Sequence, residues 1–154
     1  MVHPDIAPLA FLIGTWRGEG KGSYPTITPF AYTEEVVIEA MPNPVLRYAQ
    51  RTADAATGEP RHAEAGFLRL PGGVPELVIA QPTGIAECHA GTLEGQHLLL
   101  RSTSVGLTPS AAVHQVTAVE RMIEVTGDVL RYTLAMAAVG HPLQVHLTAE
   151  LVRV

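Results

Sequence analysis

Cysteine, lysine and aromatic residues are scarce in this sequence, and each scarcity excludes a class of protein. Cys88 is the only cysteine, which excludes a disulfide framework, a thiolate zinc cluster and covalent haem attachment through paired cysteines. Lys21 is the only lysine and the net charge is −5, unlike the basic surface of a nucleic-acid-binding protein. The sequence also lacks a signal-like start and an apolar run of membrane-spanning length, so we expect a soluble cytoplasmic protein.

Long helical patterns are absent as well, and almost the whole sequence follows the two-residue period of β-strands. Short apolar–polar segments alternate with turns rich in glycine and proline, which is typical of an all-β barrel or sandwich. The predicted strands are 14–25, 30–41, 45–52, 61–70, 76–81, 85–93, 96–104, 113–125, 129–139 and 143–154. We predict a single antiparallel up-and-down β-barrel of about ten strands, similar to lipocalins and fatty-acid-binding proteins, with residues 1–154 as one domain. Residues 5–13 are the exception and predict a short helical turn that plugs one mouth of the barrel.

Glycine is concentrated in the first predicted strand. Gly14, Gly18, Gly20 and Gly22 share one strand face with Trp16, the only tryptophan. Glycine packs no side chain, so a row of glycines on one face leaves room for a bend or for another group that comes close. We therefore expect something to lie against this wall of the barrel.

The number of strands also bears on function. Barrels of about eight strands are filled by their own side chains or hold one small ligand. A ten-strand barrel is wider, and only 5% of the residues are aromatic, so few large side chains can fill it. The sequence therefore predicts an interior cavity with a ligand.

Common catalytic motifs are missing. No two histidines have the His-x-x-x-His spacing of a helical zinc site, and there is no Gly-x-Ser-x-Gly elbow, which disfavours a zinc enzyme or a hydrolase. Glu34 and Glu35 are adjacent in a strand and point to opposite faces, so they cannot act together on one substrate. We expect one of them in solvent and the other at the barrel rim.

His146 lies in the last predicted strand. Its face of the strand also carries Gln144, Thr148 and Glu150, whereas the alternate positions are apolar. Simple alternation would place the apolar face inside the barrel and His146 in water. A ligand role for His146 requires this polar face to point inward.

Motifs along nearly the whole sequence resemble the nitrobindins, small β-barrel haem proteins, and their bacterial members in particular. The signature is Gly-x-Trp-x-Gly-x-Gly, formed here by Gly14, Trp16, Gly18 and Gly20. The segments that carry the resemblance, in order along the chain, are 12–27, 29–36, 62–69, 82–87, 116–118, 134–144 and 146–149. Lipocalins share a Gly-x-Trp start but not the later segments.

The resemblance implies a ten-stranded barrel that holds one haem b in a fairly open pocket. The histidine of the last-strand Gln-x-His-Leu pattern is the axial ligand of the iron in this family, and here that residue is His146. The resemblance thus predicts that the even-numbered face of the last strand points inward. It also implies that Thr26, from the Tyr-Pro-Thr motif, contacts the haem. His114 stands where some relatives have a basic residue that could meet a propionate.

The function implied by the resemblance is that of a ferric haem protein that binds nitric oxide and isomerises peroxynitrite to nitrate. No net electrons are exchanged, so no reductase or flavin is needed, and the sequence shows no obvious distal acid or base. One alternative is a carrier of another small apolar ligand, which an arginine cluster facing a ligand carboxylate inside the barrel would favour. Another is a haem carrier or sensor without turnover. An apolar outer strand face would be consistent with a homodimer.

Overall fold

A computed structural model describes residues 1–154 as a closed barrel of ten antiparallel strands. The strands are β1 Gly14–Tyr24, β2 Ile27–Ala40, β3 Val45–Asp54, β4 Pro60–Arg69, β5 Glu76–Ala80, β6 Ile85–Glu94, β7 His97–Leu107, β8 Val116–Thr126, β9 Val129–Ala138 and β10 Gln144–Arg153. Three 3-10 helices cover Pro4–Leu12, Pro71–Gly73 and Pro109–His114. None of these helices has the length and apolar character needed to cross a membrane.

The topology is up-and-down, as the short turns predict. Each strand pairs with its neighbours in sequence, and β1 pairs with β10 from Trp16–Arg153 to Gly22–Leu147, which closes the sheet. The predicted all-β barrel of ten strands is therefore confirmed.

Two strand starts differ from the prediction by three residues, and in the first of them β2 begins at Ile27 instead of residue 30. The strand expected from residue 113 begins at Val116, because residues 109–114 form a 3-10 helix. Pro109 occupies the start of this helix, where its missing N–H costs nothing, and Gln115 ends it with a left-handed φ of 46°. The looser stretch expected from Gly106 is strand as far as Leu107.

The N-terminal 3-10 helix closes one end of the barrel, as expected. Its buried face consists of Ile6, Leu9 and Leu12, which are at most 1% exposed and belong to the main hydrophobic cluster. Trp16 is fully buried in the same cluster, and its indole N–H donates to the carbonyl of Leu12 at 2.8 Å. The guanidinium of Arg153 stacks over the Trp16 ring at 4.1 Å. These contacts fix the helix to the first and last strands.

The glycine face of β1 makes room for aromatic rings from β2. A Cβ atom on Gly20 would lie 2.2 Å from the ring of Tyr32, and one on Gly22 would lie 2.2 Å from the ring of Phe30. On Gly18 it would meet the backbone carbonyl of Glu150 at 2.1 Å. The group expected against this wall is therefore supplied by the neighbouring strand.

We expect Gly20→Ala to destabilise the protein by about 1–3 kcal/mol, because the added methyl must displace the buried Tyr32 ring. Gly106→Ala is the matched control. Gly106 lies in β7 without a positive φ, and its Cβ would meet only the Ala86 carbonyl, at 3.9 Å. This control should be neutral or stabilising by less than about 1 kcal/mol. The measurement is the free energy of unfolding in urea, and equal effects of the two variants would contradict the packing argument.

Candidate functional site

The interior of the barrel contains packed apolar side chains, a belt of buried polar side chains and a cavity. The apolar side chains pack beside the N-terminal helix. The cavity has a volume of about 370 Å³, and 20 of its 29 lining residues are hydrophobic. Its lining includes Leu12 from the N-terminal helix and Arg121 from the polar belt. It reaches the surface beside the exposed Ile27 and Arg61, at the end away from the helix. This cavity is the candidate site.

A bulge in β10 turns His146 into the cavity. The register between β10 and β9 shifts between Val145 and Leu147, which makes His146 the extra residue of β10. The register between β1 and β2 also shifts, between Gly22 and Tyr24, where the extra residue is in β2. His146 and Ser23 lie on adjacent strands just beyond the last β1–β10 pair. A bulge redirects a side chain by interrupting the alternation of the strand. His146 and Leu147 both line the cavity as a result.

The bulge corrects both expectations about the faces of the last strand. The even face does not point inward as a whole, since Thr148, Glu150 and Val152 are exposed. Simple alternation is right for Leu147 to Leu151, where the apolar face is inside, but wrong for His146. The change of face at the bulge is what allows an apolar strand to place one histidine in the cavity.

The side chain of His146 is held in one tautomer. Its Nδ1 lies 3.0 Å from the carbonyl oxygen of Ser23, so Nδ1–H donates there and the lone pair of Nε2 remains free of protein partners. The rings of Tyr24 and Phe30 lie edge-on to the imidazole, with distances between ring centroids of 5.4 and 6.4 Å. Burial lowers the pKa of His146 below its usual range, opposed in part by the Ser23 hydrogen bond. The imidazole is therefore neutral at pH 7 and can donate a lone pair to a metal.

The other two residues predicted to contact haem lie outside the cavity lining. Thr26 is exposed in the turn between β1 and β2, next to the lining residue Ile27. His114 is exposed at the end of the third 3-10 helix. The motif residues Trp16 and Gly20 support the wall, as described above, and do not line the cavity.

The polar belt is centred on Arg121, which sequence analysis missed. Arg121 is 7% exposed, and its guanidinium donates to both carboxylate oxygens of Glu64, at 2.6 and 3.2 Å. It also lies 3.4 Å from both oxygens of Glu87, which is bonded to His89 at 3.0 Å. Tyr48 donates to Glu64 at 2.8 Å. A buried charge pair requires such hydrogen bonds to offset its desolvation.

The pKa values of this cluster follow from the arrangement. Burial favours the neutral form of every member, but the charge of Arg121 and a hydrogen bond from His62 hold the pKa of Glu64 far below its usual range. The pKa of Glu87 is lowered by His89 and Arg121 in spite of its burial. Burial also opposes the charge of Arg121, yet the two carboxylates raise its pKa. The three groups are thus ionised together.

Glu34 is the third buried carboxyl group of the belt, and here the expectation for the Glu34–Glu35 pair is corrected. Glu35 is on the outer surface, paired with Arg17 and Arg51 at 2.7 Å each. Glu34 is not at the rim: it is 4% exposed in the middle of the barrel. Burial raises its pKa to about 7, although hydrogen bonds from Gln50 and Tyr132 oppose the shift. The even-numbered residues of β2 point inward, and this alternation in the sequence would have placed Glu34 inside the barrel.

The ion pair of Arg61 and Asp54 lies at the mouth of the cavity. Arg61 lines the cavity, its guanidinium lies 4.6 Å above the ring of Phe30, and it pairs with Asp54 at 2.6 Å. His62 lines the cavity beside it, one third exposed. These groups suit an anionic group held at the surface end of an apolar ligand.

The site fits a haem group on its own chemistry. A neutral histidine with a fixed tautomer and a free Nε2 projects into a mostly apolar cavity, and a cationic side chain stands at its mouth. An axial nitrogen ligand, apolar walls and a partner for the propionates are what haem b requires. His146 would supply the axial ligand and Arg61 the charge.

Known proteins resemble this chain over its full length. A family model described as "THAP4-like, heme-binding beta-barrel domain" matches residues 5–153. "Peroxynitrite isomerase 1" of Mycolicibacterium paratuberculosis is 51% identical over 157 residues, covering 99% of this chain and 96% of that protein. "Peroxynitrite isomerase" of Nocardia farcinica is 48% identical, with 99% and 92% covered. The crystal structure of Rv2717c from M. tuberculosis is 44% identical with a TM-score of 0.92, covering 100% of this chain and 99% of that one.

We expect Arg121→Met to lower the free energy of unfolding by about 3–5 kcal/mol at pH 7, because Glu64 and Glu87 would remain buried without a counter-charge. The matched control is Arg101→Met. Arg101 pairs with Glu120 on the surface with its side chain 67% exposed, and its loss should cost less than about 1 kcal/mol. Urea unfolding of both variants measures the difference, and a cost for Arg121→Met no greater than that of the control would refute the buried cluster as a stabilising unit.

Proposed function

Because this chain belongs to the family of THAP4-like haem-binding β-barrels, the nitrobindin-like proteins, we propose that it binds haem b and isomerises peroxynitrite to nitrate. The observation that carries the proposal is the inward bulge at His146, with Nδ1 committed to Ser23 and Nε2 free. Such an arrangement is that of a histidine built to ligate a metal. Relatives that are 51% and 48% identical are named peroxynitrite isomerases.

The roles of the protein follow from the site. When bound, ferric haem would supply a Lewis acid with an open position for a small ligand such as peroxynitrite. His146 holds the cofactor, and the Ser23 hydrogen bond fixes the orientation of the imidazole and increases its basicity. The apolar wall, with Phe30 and Leu147 next to His146, restricts water and keeps the reacting fragments together until nitrate forms. The same open position would bind nitric oxide.

The carrier of another apolar ligand is less well supported. An arginine cluster inside the barrel facing a ligand carboxylate would favour such a carrier. Arg121 is inside, but it is already paired with two carboxylates, those of Glu64 and Glu87. A further carboxylate would add to the buried negative charge, which is costly. The polar belt thus favours a ligand whose charge stays at the mouth.

We assign the propionate contact to Arg61 rather than to His114. Arg61 lines the cavity and carries a permanent charge, whereas His114 is exposed and outside the lining. The stacking on Phe30 holds the Arg61 guanidinium at the mouth. Its present partner, Asp54, leaves further guanidinium N–H donors for a propionate.

Two expectations about the cellular form of the protein stay predictions. A homodimer would use outer apolar side chains such as Phe67 and Val78, which are partners across β4 and β5 and are 46% and 48% exposed. Light scattering should then give twice the 16.4 kDa chain mass. A cytoplasmic location would be tested by cell fractionation.

Titration with hemin tests the assignment of His146. We expect one hemin per chain with a Soret band, and His146→Ala should weaken the affinity roughly 100-fold or more, since loss of a mere outer-shell partner costs about 10–100-fold. The control is His97→Ala, an exposed histidine of β7 outside the cavity, which should bind as the wild type does. Equal hemin affinity of the wild type and both variants would contradict the assignment of His146 as the haem ligand.

Stopped-flow decay of peroxynitrite with nitrate as the measured product separates an isomerase from a haem carrier. The hemin-loaded wild type should accelerate the decay, and His146→Ala should not. Hemin binding without accelerated formation of nitrate would mean a carrier or sensor.

Removal of the charge at the mouth tests the propionate contact. Arg61→Gln should weaken hemin binding by about 5–10-fold, corresponding to about 1–1.4 kcal/mol for a partly exposed charged hydrogen bond. His114→Ala and Thr26→Val should change the affinity by less than twofold if Arg61 carries the contact. A larger loss in His114→Ala than in Arg61→Gln would assign the propionate to the residue expected from the family resemblance.

A further inference from the structure

Two tyrosines connect the cavity to the buried Glu34. Tyr32 and Tyr132 both line the cavity, and their hydroxyl oxygens lie 2.7 Å apart. The Tyr132 hydroxyl also lies 2.7 Å from Oε2 of Glu34, which is behind the two tyrosines and does not line the cavity. The three side chains thus form a hydrogen-bonded chain with one end at the cavity and the other at a carboxyl group.

Glu34 has no counter-charge of its own. Gln50 donates to its Oε2 at 2.7 Å, while Oε1 is buried without a partner. The residues paired with Glu34 on β1 and β3 are Gly18 and Thr52, which are uncharged.

The remaining groups that act on Glu34 come from strands across the interior. Tyr132 is on β9, Glu64 on β4 raises the pKa of Glu34, and Arg121 on β8 lowers it. Tyr48 on β3 is affected in turn, since Glu34 raises its pKa. Arg121 is engaged with Glu64 and Glu87, so Glu34 can gain and lose a proton near neutral pH, as its raised pKa of about 7 also indicates.

The protonation of Glu34 decides the direction of the hydrogen bonds, because each tyrosine hydroxyl has one hydrogen. When Glu34 is ionised, Tyr132 donates to Oε2 and Tyr32 donates to Tyr132, which leaves only lone pairs of Tyr32 facing the cavity. When Glu34 binds a proton, the proton is on Oε2, because the Tyr132 hydroxyl can accept a hydrogen bond from Oε2 whereas Oε1 has no hydrogen-bond partner. Glu34 then donates to Tyr132, Tyr132 donates to Tyr32, and the hydrogen of Tyr32 is free.

We propose that Tyr32 is the hydrogen-bonding residue that the protein presents to a ligand in the cavity, and that Tyr132 and Glu34 act as positioning residues that set whether Tyr32 donates or accepts. One proton enters at Glu34 and two hydroxyl hydrogens rotate, with no other bond changed. In the donating state the cavity favours small anions, among them the peroxynitrite of the proposed function, on which the identity of this ligand rests. In the accepting state it disfavours them.

Fluoride binding to the ferric hemin-loaded protein tests the proposal without turnover. Between pH 5.5 and 8 the fluoride affinity of the wild type should fall as the pH rises through about 7, the pKa of Glu34. Tyr32→Phe should lower the affinity at pH 6 about tenfold and abolish the pH dependence. Glu34→Gln, whose amide donates to Tyr132 at every pH, should keep the high affinity throughout. His97→Ala is the control, because His97 is exposed on β7 outside the cavity, and it should behave as the wild type.

Infrared difference spectra of the haem-free protein between pH 6 and pH 8 provide a second readout that does not depend on haem binding. We expect a protonated carboxyl band that titrates near pH 7, disappears in Glu34→Gln and shifts in Tyr32→Phe. Two results would contradict the hydrogen-bonded chain of Glu34, Tyr132 and Tyr32. One is a Tyr32→Phe variant with the fluoride affinity and pH dependence of the wild type. The other is a carboxyl band that neither substitution changes. Failure of hemin to bind would instead refute the proposed function. The infrared spectra would still show whether the hydrogen-bonded chain exists.

Discussion

The interior of a ten-strand barrel must be filled, and this constraint governs the rest of the structure. The barrel is too wide for its own few aromatic side chains to occupy. The N-terminal 3-10 helix fills one end with Ile6, Leu9 and Leu12, and the rings of Tyr32 and Phe30 fold against the glycines of β1. What remains unfilled is the cavity beside His146. The binding site is thus the part of the interior that the chain leaves open.

The polar belt is an unusual way to occupy the middle of a barrel. Aliphatic side chains would fill the same volume without desolvating charges, and an ion pair often contributes no more than they do. Arg121 is paired with both Glu64 and Glu87, so the belt holds no free cation. Glu34 is left with uncharged hydrogen-bond partners only. Glu34, behind the wall of the cavity, is therefore the carboxyl group of the belt whose pKa burial raises to about 7.

Much of the fold could be predicted from the sequence because strand period and turn residues are local signals. All ten strands begin within three residues of the predicted position, and eight of them begin within one residue. Val113 was expected in β8 but lies in the 3-10 helix that begins at Pro109. The family and the haem cofactor were also accessible, since the motifs that carry them run through the whole chain.

The sequence by itself determined the all-β barrel, the helical plug and the glycine wall, because each depends on periods and residue types read within a few positions. Only the tertiary structure decided how His146 faces inward, since a bulge is set by the pairing of β10 with both neighbours and breaks the alternation that sequence analysis relies on. It likewise decided that Arg121 meets Glu64, 57 positions away, and that Tyr132 meets Glu34, 98 positions away. Side chains so distant in sequence interact only because closure of the barrel brings their strands around one interior.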